Sequence, residues 1–142
     1  MLAKAVSNTG ESLGPPPRAP GITAQSQYPV EPGNDYVVFG MGQFAEVLHI
    51  LIRDEDGLPG WYPIGLFEVS GRIPEDWEFA LYDGLAASGG DASNRWVARW
   101  GYHELVANPE HSDGLLERDE EALTIFYNEY VARTGRPWTE PQ

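Results

Sequence analysis

The chain has 142 residues, a net charge of −13 and no cysteine. This length gives one domain whose core needs no metal or disulfide to fold. The lack of cysteine excludes disulfides, thiolate nucleophiles and cysteine-ligated zinc. Residues 35–142 hold twenty acidic and seven basic side chains, whereas residues 1–34 are neutral. Because nucleic acids and anionic membranes bind through Lys and Arg, we expect neither as a partner, and we expect basic proteins to be attracted.

The first 34 residues differ in composition from the rest of the chain. They hold four Gly, six Pro and one aromatic residue, and proline disfavours both helices and sheet interiors. The composition predicts a disordered or loosely packed tail over residues 1–34. The chain has no apolar run of membrane-spanning length, and its start lacks the apolar core of a secretory signal. We therefore expect a cytoplasmic protein.

Strand patterns begin at Asp35. The run Tyr36–Phe39 is rich in β-branched and aromatic residues and predicts a strand that ends at Gly40 and Gly42. Residues 46–53 predict the strongest strand in the chain, and its nearly continuous apolar side chains indicate cover on both faces. Residues 54–57 follow as an Asp-Gly turn.

Three further segments complete the predicted sheet. Residues 61–69 predict a strand in which Pro63 marks an edge or a bulge. Residues 76–83 alternate polar and apolar side chains, which predicts a half-buried strand. Residues 95–104 resume the strand pattern after a loop of small residues at 84–94. The same-face side chains that we expect are Trp77, Phe79 and Leu81 in the first of these strands, and Trp96, Ala98 and Trp100 in the second.

The C-terminal quarter has helical periodicity. Asp119 is a suitable N-cap, apolar residues from Ala122 to Val131 recur at three and four spacing, and Gly135 ends the pattern. A short helical turn is expected around residues 112–118. The fold class predicted is α+β, with about five antiparallel strands in a curled sheet or small SH3-like barrel and a packed C-terminal helix. Residues 35–135 form the predicted domain, and residues 136–142 a short tail.

No motif in the chain carries a recognisable catalytic mechanism. His103, Glu104, His111 and Asp113 are the grouping that could supply ligands to a metal or hydrolase site, and their spacing matches no known metal motif. His49 lies in the strand expected to be buried, where a histidine is ordinarily a satisfied core residue. We therefore expect no enzyme, no cofactor and no metal.

The acidic turn and the aromatic pair behind it are the candidate interaction site. Exposed aromatic residues surrounded by acids would form a patch for a basic protein, although core packing is the usual role of such rings. The partner-binding residues predicted are Asp54, Glu55, Asp56, Trp61, Tyr62, Glu75 and Asp76.

The layout of residues 36–127 is similar to that of a known class of small bacterial proteins. It runs from Tyr36 through the strand at 48–53, the acidic turn and Trp61–Val69 to Trp77, and continues in Trp100–Leu105 and residues 117–126. It resembles the immunity proteins of bacterial polymorphic toxin systems, and its middle strands resemble those of SH3-like barrels. The resemblance implies inhibition of a cognate toxin by binding. A small hydrolase or metal-dependent enzyme, and a structural or adaptor module of a phage or secretion system, are the alternatives.

Overall fold

A computed structural model describes residues 1–13, 23–44, 46–82 and 96–138. Its strands form two antiparallel sheets, of order β2-β1-β6 and β5-β4-β3-β8-β7. The strands are β1 (Leu2–Ala5), β2 (Asp35–Val37), β3 (Gly40–Phe44), β4 (Val47–Arg53), β5 (Pro59–Pro63), β6 (Phe67–Ser70), β7 (Glu78–Leu81) and β8 (Trp96–Gly101). The helices that the described residues contain are α1 (His103–Ala107), α2 (Pro109–Glu117) and α3 (Glu120–Thr134).

This architecture confirms the α+β class, the antiparallel strands and the C-terminal helix. The described residues contain eight strands rather than about five: the strand predicted at 36–39 is β2 of the smaller sheet, and β3 of the larger sheet was not predicted. A second sheet of three strands was not predicted, and the strands of the described residues do not close into a barrel. The barrel alternative is therefore wrong.

The larger sheet is the middle layer of the molecule. Both of its faces are apolar at β4, and each face is covered by another layer. Ile50 and Ile52 point to one face and pack in a cluster with the three-stranded sheet. Leu51 points to the other face and packs against the helices, together with Leu105 and Phe126. The prediction that β4 is covered on both faces is confirmed.

The N-terminal segment is part of the core, and the prediction of a loose tail is wrong for it. β1 is the middle strand of the three-stranded sheet, where it pairs with β2 and β6. Ala3, Ala5 and Val30 are buried in the cluster between the sheets. Small side chains suit this position because they let two sheets approach closely. Residues 14–22, with the Pro15–Pro17 run, lie outside the described residues.

Gly40 and Gly42 lie inside strand β3, so the prediction that they end a strand is wrong. A Cβ atom on Gly40 would lie 2.4 Å from Leu105 Cδ2, and one on Gly42 would lie 2.5 Å from Trp96 Cζ3. The glycines therefore allow large neighbouring side chains to lie directly on the sheet, which is an established role of glycine in strands.

The single strand predicted over residues 61–69 is two strands in different sheets. β5 ends at Pro63, a 3₁₀ turn follows at Ile64–Leu66, and β6 then joins the smaller sheet. Leu66 is fully buried at this corner. The turn at residues 54–57 connects β4 and β5, as predicted.

The faces predicted for the last two strands are partly wrong. Phe79 and Leu81 share a face of β7, but they are 51% and 67% exposed. Trp100 lies on that face against Phe79, at 4.8 Å between ring centroids. Trp96 lies on the opposite face, against Trp61, because a register shift at Gln43/Phe44 breaks the alternation of β8. The loop predicted at 84–94 lies outside the described residues.

The helices follow their local signals. Asp119 caps α3 by accepting a hydrogen bond from the Ala122 N–H, and Gly135 ends the helix with a positive φ of 66°. The turn predicted at 112–118 is a longer helix, α2, whose N-cap is Asn108. The strand predicted to reach Glu104 ends at Gly101, and α1 begins at His103.

The C-terminal segment also packs on the domain, as far as Trp138. The ring of Trp138 lies 3.7 Å from that of Tyr127, and the Arg53 guanidinium lies 3.7 Å above it. The predicted tail boundary at residue 136 is therefore wrong, because the rings of Phe126, Tyr127 and Tyr130 and a cation hold this side chain.

Candidate functional site

Asp54 organises the turn between β4 and β5. Its carboxylate accepts hydrogen bonds from the backbone N–H groups of Asp56 and Leu58, at 2.9 and 3.1 Å. It also accepts one from the Tyr62 hydroxyl at 2.6 Å. Burial, followed by the neighbouring Asp54, raises the pKa of Tyr62. The side chain of Asp54 is buried, and its hydrogen bonds are to the turn and to β5. Asp54 therefore stabilises the turn.

The other two acids of the turn are exposed. Glu55 accepts hydrogen bonds from Asn34 Nδ2, at 3.0 Å, and from the Tyr36 hydroxyl, and these tie the turn to the start of β2. Burial and, to a smaller extent, Glu55 raise the pKa of Tyr36 to about 12. Asp56 has an exposed side chain and is the acid of this turn best placed to meet a partner.

Trp61 and Tyr62 lie on opposite faces of β5, so they do not form one patch. The Trp61 ring lies 4.6 Å from the Trp96 ring. The Arg99 guanidinium lies 4.6 Å from Trp96 and 5.8 Å from Trp61. Tyr62 packs on the inter-sheet side, where its ring lies 6.0 Å from that of Tyr28. Both rings are half-buried, so changing either would disturb packing as well as any contact with a partner.

The predicted acids Glu75 and Asp76 lie in the segment that enters β7, and both are exposed. Asp76 receives two hydrogen bonds from Arg133, at 2.8 and 3.2 Å. Hydrogen bonding to the Arg133 guanidinium is the main reason that the pKa of Asp76 is lowered. Arg133 also bonds Glu129 at 2.9 Å. This pairing fixes the entry to β7 on the C-terminal half of α3.

Exposed apolar side chains flank these acids in the sequence. Ile73 is 50% exposed, and Phe79 and Leu81 are more so. Glu78 projects from the opposite face of β7, where its carboxylate contacts His103 Nδ1 at 2.5 Å. We call this surface the acidic edge; its residues are Ile73, Glu75, Asp76, Glu78, Phe79 and Leu81.

The acidic edge contains two of the seven predicted site residues and four that the sequence reasoning missed. The period-2 alternation suggested burial for Phe79 and Leu81, although alternation does not say which strand is central. The signal that could have found them is the group of three acids within residues 75–78, which is typical of a solvent-facing segment.

A concave region separate from the acidic edge lies between the hairpin turn, β2 and the end of α3. This cleft of about 950 Å³ has three arginines on its lining, Arg53, Arg133 and Arg136, and three acids, Asp35, Asp54 and Glu55. Arg133 is held by two carboxylates, Asp54 by the turn and Glu55 by Tyr36 and Asn34. Since Arg53 also lies over the Tyr130 and Trp138 rings, four of the cleft's six charged groups are engaged in internal contacts.

The histidines do not come together as a metal site. His49 is buried with Nδ1 2.9 Å from the Val47 carbonyl oxygen, as expected of a core histidine. His111 is buried with Nε2 2.6 Å from the Tyr102 hydroxyl, and burial lowers the pKa of both. His103 is exposed and pairs with Glu78. Among residues 1–13, 23–44, 46–82 and 96–138, no three His, Asp or Glu side chains are arranged to hold a metal ion.

Comparison with protein-family models, with curated proteins and with solved structures gives no match for this chain. In the part of the chain that the structure describes, no helix has the length and apolar character needed to cross a membrane.

Proposed function

We propose that the protein is an acidic inhibitor of the immunity type, which acts in the cytoplasm by binding a basic toxin domain through the acidic edge. The observation that carries the proposal is that the acidic edge combines exposed apolar side chains with acidic ones. Phe79 and Leu81 expose more than half of their surface on a strand that begins with Glu78 and follows Glu75 and Asp76, and all three acids are exposed. Exposed apolar side chains rimmed by charge are typical of protein-binding surfaces.

The charge of the chain selects the class of partner. With 22 acidic and nine basic side chains, the protein repels nucleic acids and anionic lipids and accelerates the approach of basic proteins. Many toxins that act on nucleic acids need a basic surface to hold their substrate. An acidic protein seated on that surface would block it without any chemistry of its own.

The resemblance of residues 36–127 to immunity proteins supports the same function. Inhibition by such a protein needs tight binding and no catalytic group. The geometry around the histidines favours this over the hydrolase alternative, because His103 and His111 are engaged with Glu78 and Tyr102.

The test begins with affinity purification of the full chain from its native host. We expect the captured protein to be basic, to stop growth when expressed alone, and to be neutralised by co-expression of this chain. Capture of proteins that do not inhibit growth, or a toxin that the chain does not neutralise, would contradict the proposal.

The location of the interface is tested by two variants of equal charge. Glu75→Gln with Glu78→Gln removes two carboxylates from the acidic edge. Glu120→Gln with Glu121→Gln removes two exposed acids at the start of α3, about 20 Å along the helix from Arg133. We expect association with the captured toxin to slow several-fold, and to depend less steeply on salt, only in the first variant. Equal effects would mean that overall charge, not this edge, attracts the partner.

A further inference from the structure

We propose that the acidic edge receives its partner by strand addition: an extended segment in which basic and apolar residues alternate pairs with the outer side of β7. This rests on the proposed function and specifies how the partner is held. The starting point is that β7 is the terminal strand of the larger sheet as described, with β8 on its inner side.

Among the described residues, two backbone positions of β7 have no strand beside them on the outer side. The Tyr82 N–H donates to the Val97 carbonyl at 2.8 Å, and the register places Ala80 opposite Arg99 and Glu78 opposite Gly101. Alternate residues of an antiparallel strand direct their N–H and C=O groups to opposite neighbours. Residues 78, 80 and 82 therefore bond β8, and the backbone groups of Phe79 and Leu81 face outward, where an added strand would bond them.

The side chains define the segment that fits. Phe79 and Leu81 lie on one face with Trp100, whereas Glu78 lies on the other face beside His103. A strand added next to β7 directs alternate side chains to these same two faces. Its apolar residues would cover Phe79 and Leu81, and its Lys or Arg residues would meet Glu78, with Glu75 and Asp76 at the entry to the strand.

The two edges of the larger sheet differ in their protection against pairing. β5, at the opposite edge, begins and ends with proline, at Pro59 and Pro63, and proline is a common means of blocking an edge strand. β7 has the sequence EFAL and carries no proline. A second copy of this chain is a poor occupant because it would bring Glu75, Asp76 and Glu78 against the same acids at a net charge of −13 each.

The test measures amide hydrogen exchange of the full chain by NMR, at low salt, with a synthetic octapeptide (Lys-Val)₄ as the probe. We expect the Phe79 and Leu81 amides to exchange quickly in the free protein and at least about tenfold more slowly with the peptide, since a new backbone bond must open first. The Ala80 and Tyr82 amides, which already face β8, are the internal control. The peptide (Glu-Val)₄ should give no protection.

A pair of variants at one position separates backbone pairing from side-chain contact. Leu81→Ala and Leu81→Pro both shorten the side chain, but only proline removes the outward N–H. Loss of one backbone bond predicts that Leu81→Pro binds (Lys-Val)₄ about 2- to 12-fold more weakly than Leu81→Ala. If Leu81→Pro does not fold, the exchange data on the unaltered chain decide.

Three results obtained without the toxin would overturn the inference. They are peptide binding without slower exchange at Phe79 and Leu81, no binding of (Lys-Val)₄ at low salt, and protection of these amides by self-association in the absence of peptide. A toxin that the chain neutralises without protecting the two amides would refute strand addition and leave the proposed function standing. Failure to neutralise any basic toxin would refute the proposed function itself.

Discussion

The role of the N-terminal strand can be tested at a single side chain. Ala3 is 0% exposed in the middle of the three-stranded sheet, with Tyr36 opposite on β2 and Val69 opposite on β6. Ala3→Asn places an amide in the cluster between the sheets. Burying an amide without partners costs about 1–3 kcal/mol in proteins, and the added volume costs about 1–3 kcal/mol more. We expect a total loss of about 2–6 kcal/mol.

The neighbouring residue supplies the control. Leu2 is 44% exposed on the other face of the same strand, so Leu2→Asn changes strand propensity in the same sense without filling the core. Its cost should be under about 1 kcal/mol. The composition of residues 1–34 would predict little effect from either substitution.

The assay is urea denaturation followed by tryptophan fluorescence, with far-UV circular dichroism as a second probe. A domain of this size has a free energy of unfolding of about 5–15 kcal/mol, so Ala3→Asn should shift the midpoint clearly or prevent folding. If both substitutions cost less than about 1 kcal/mol, Ala3 is not packed between the sheets and the assignment of β1 to the core is refuted.

Three further predictions concern the helices and the C-terminus. Phe126→Ala should cost about 3–5 kcal/mol in urea denaturation because the ring is 0% exposed, whereas Val131→Ala, on the exposed side, should cost under about 1 kcal/mol; equal losses would contradict the burial. Burial lowers the pKa of His111, so the unfolded chain takes up a proton first, and stability should fall as pH drops below about 6.5. His49 is shifted in the same direction, so His111→Gln should reduce that slope without abolishing it, and an unchanged slope would exclude His111 as a source. Trp138→Ala should cost about 1–3 kcal/mol through lost contacts with Tyr127 and Arg53, and an unchanged melting temperature would show that Trp138 is not packed.

The candidate site was only partly accessible to sequence reasoning. The acidic residues of the chain can be identified directly from the sequence, and two of the predicted site residues, Glu75 and Asp76, lie in the acidic edge. Trp61 and Tyr62 are separated because they are adjacent residues of one strand and so point to opposite faces. That β7 is terminal, with Phe79 and Leu81 exposed, depends on which strands pair, and no local pattern carries that information.

The features that the sequence determined by itself are those with local causes. Helix α3 has its cap, its apolar stripe and its stop within residues 119–135, the turn at 54–57 has its Asp-Gly pair, and the unbroken apolar run of β4 requires cover on both faces. Only the tertiary structure decided that Leu2–Ala5 is a central strand, that residues 61–69 divide between two sheets, and that Trp96 turns to the other face of β8. Each of these depends on pairing or packing with residues distant in the chain. Composition and periodicity indicate which secondary structure a segment prefers. They do not indicate which distant residues bond its backbone and cover its surface.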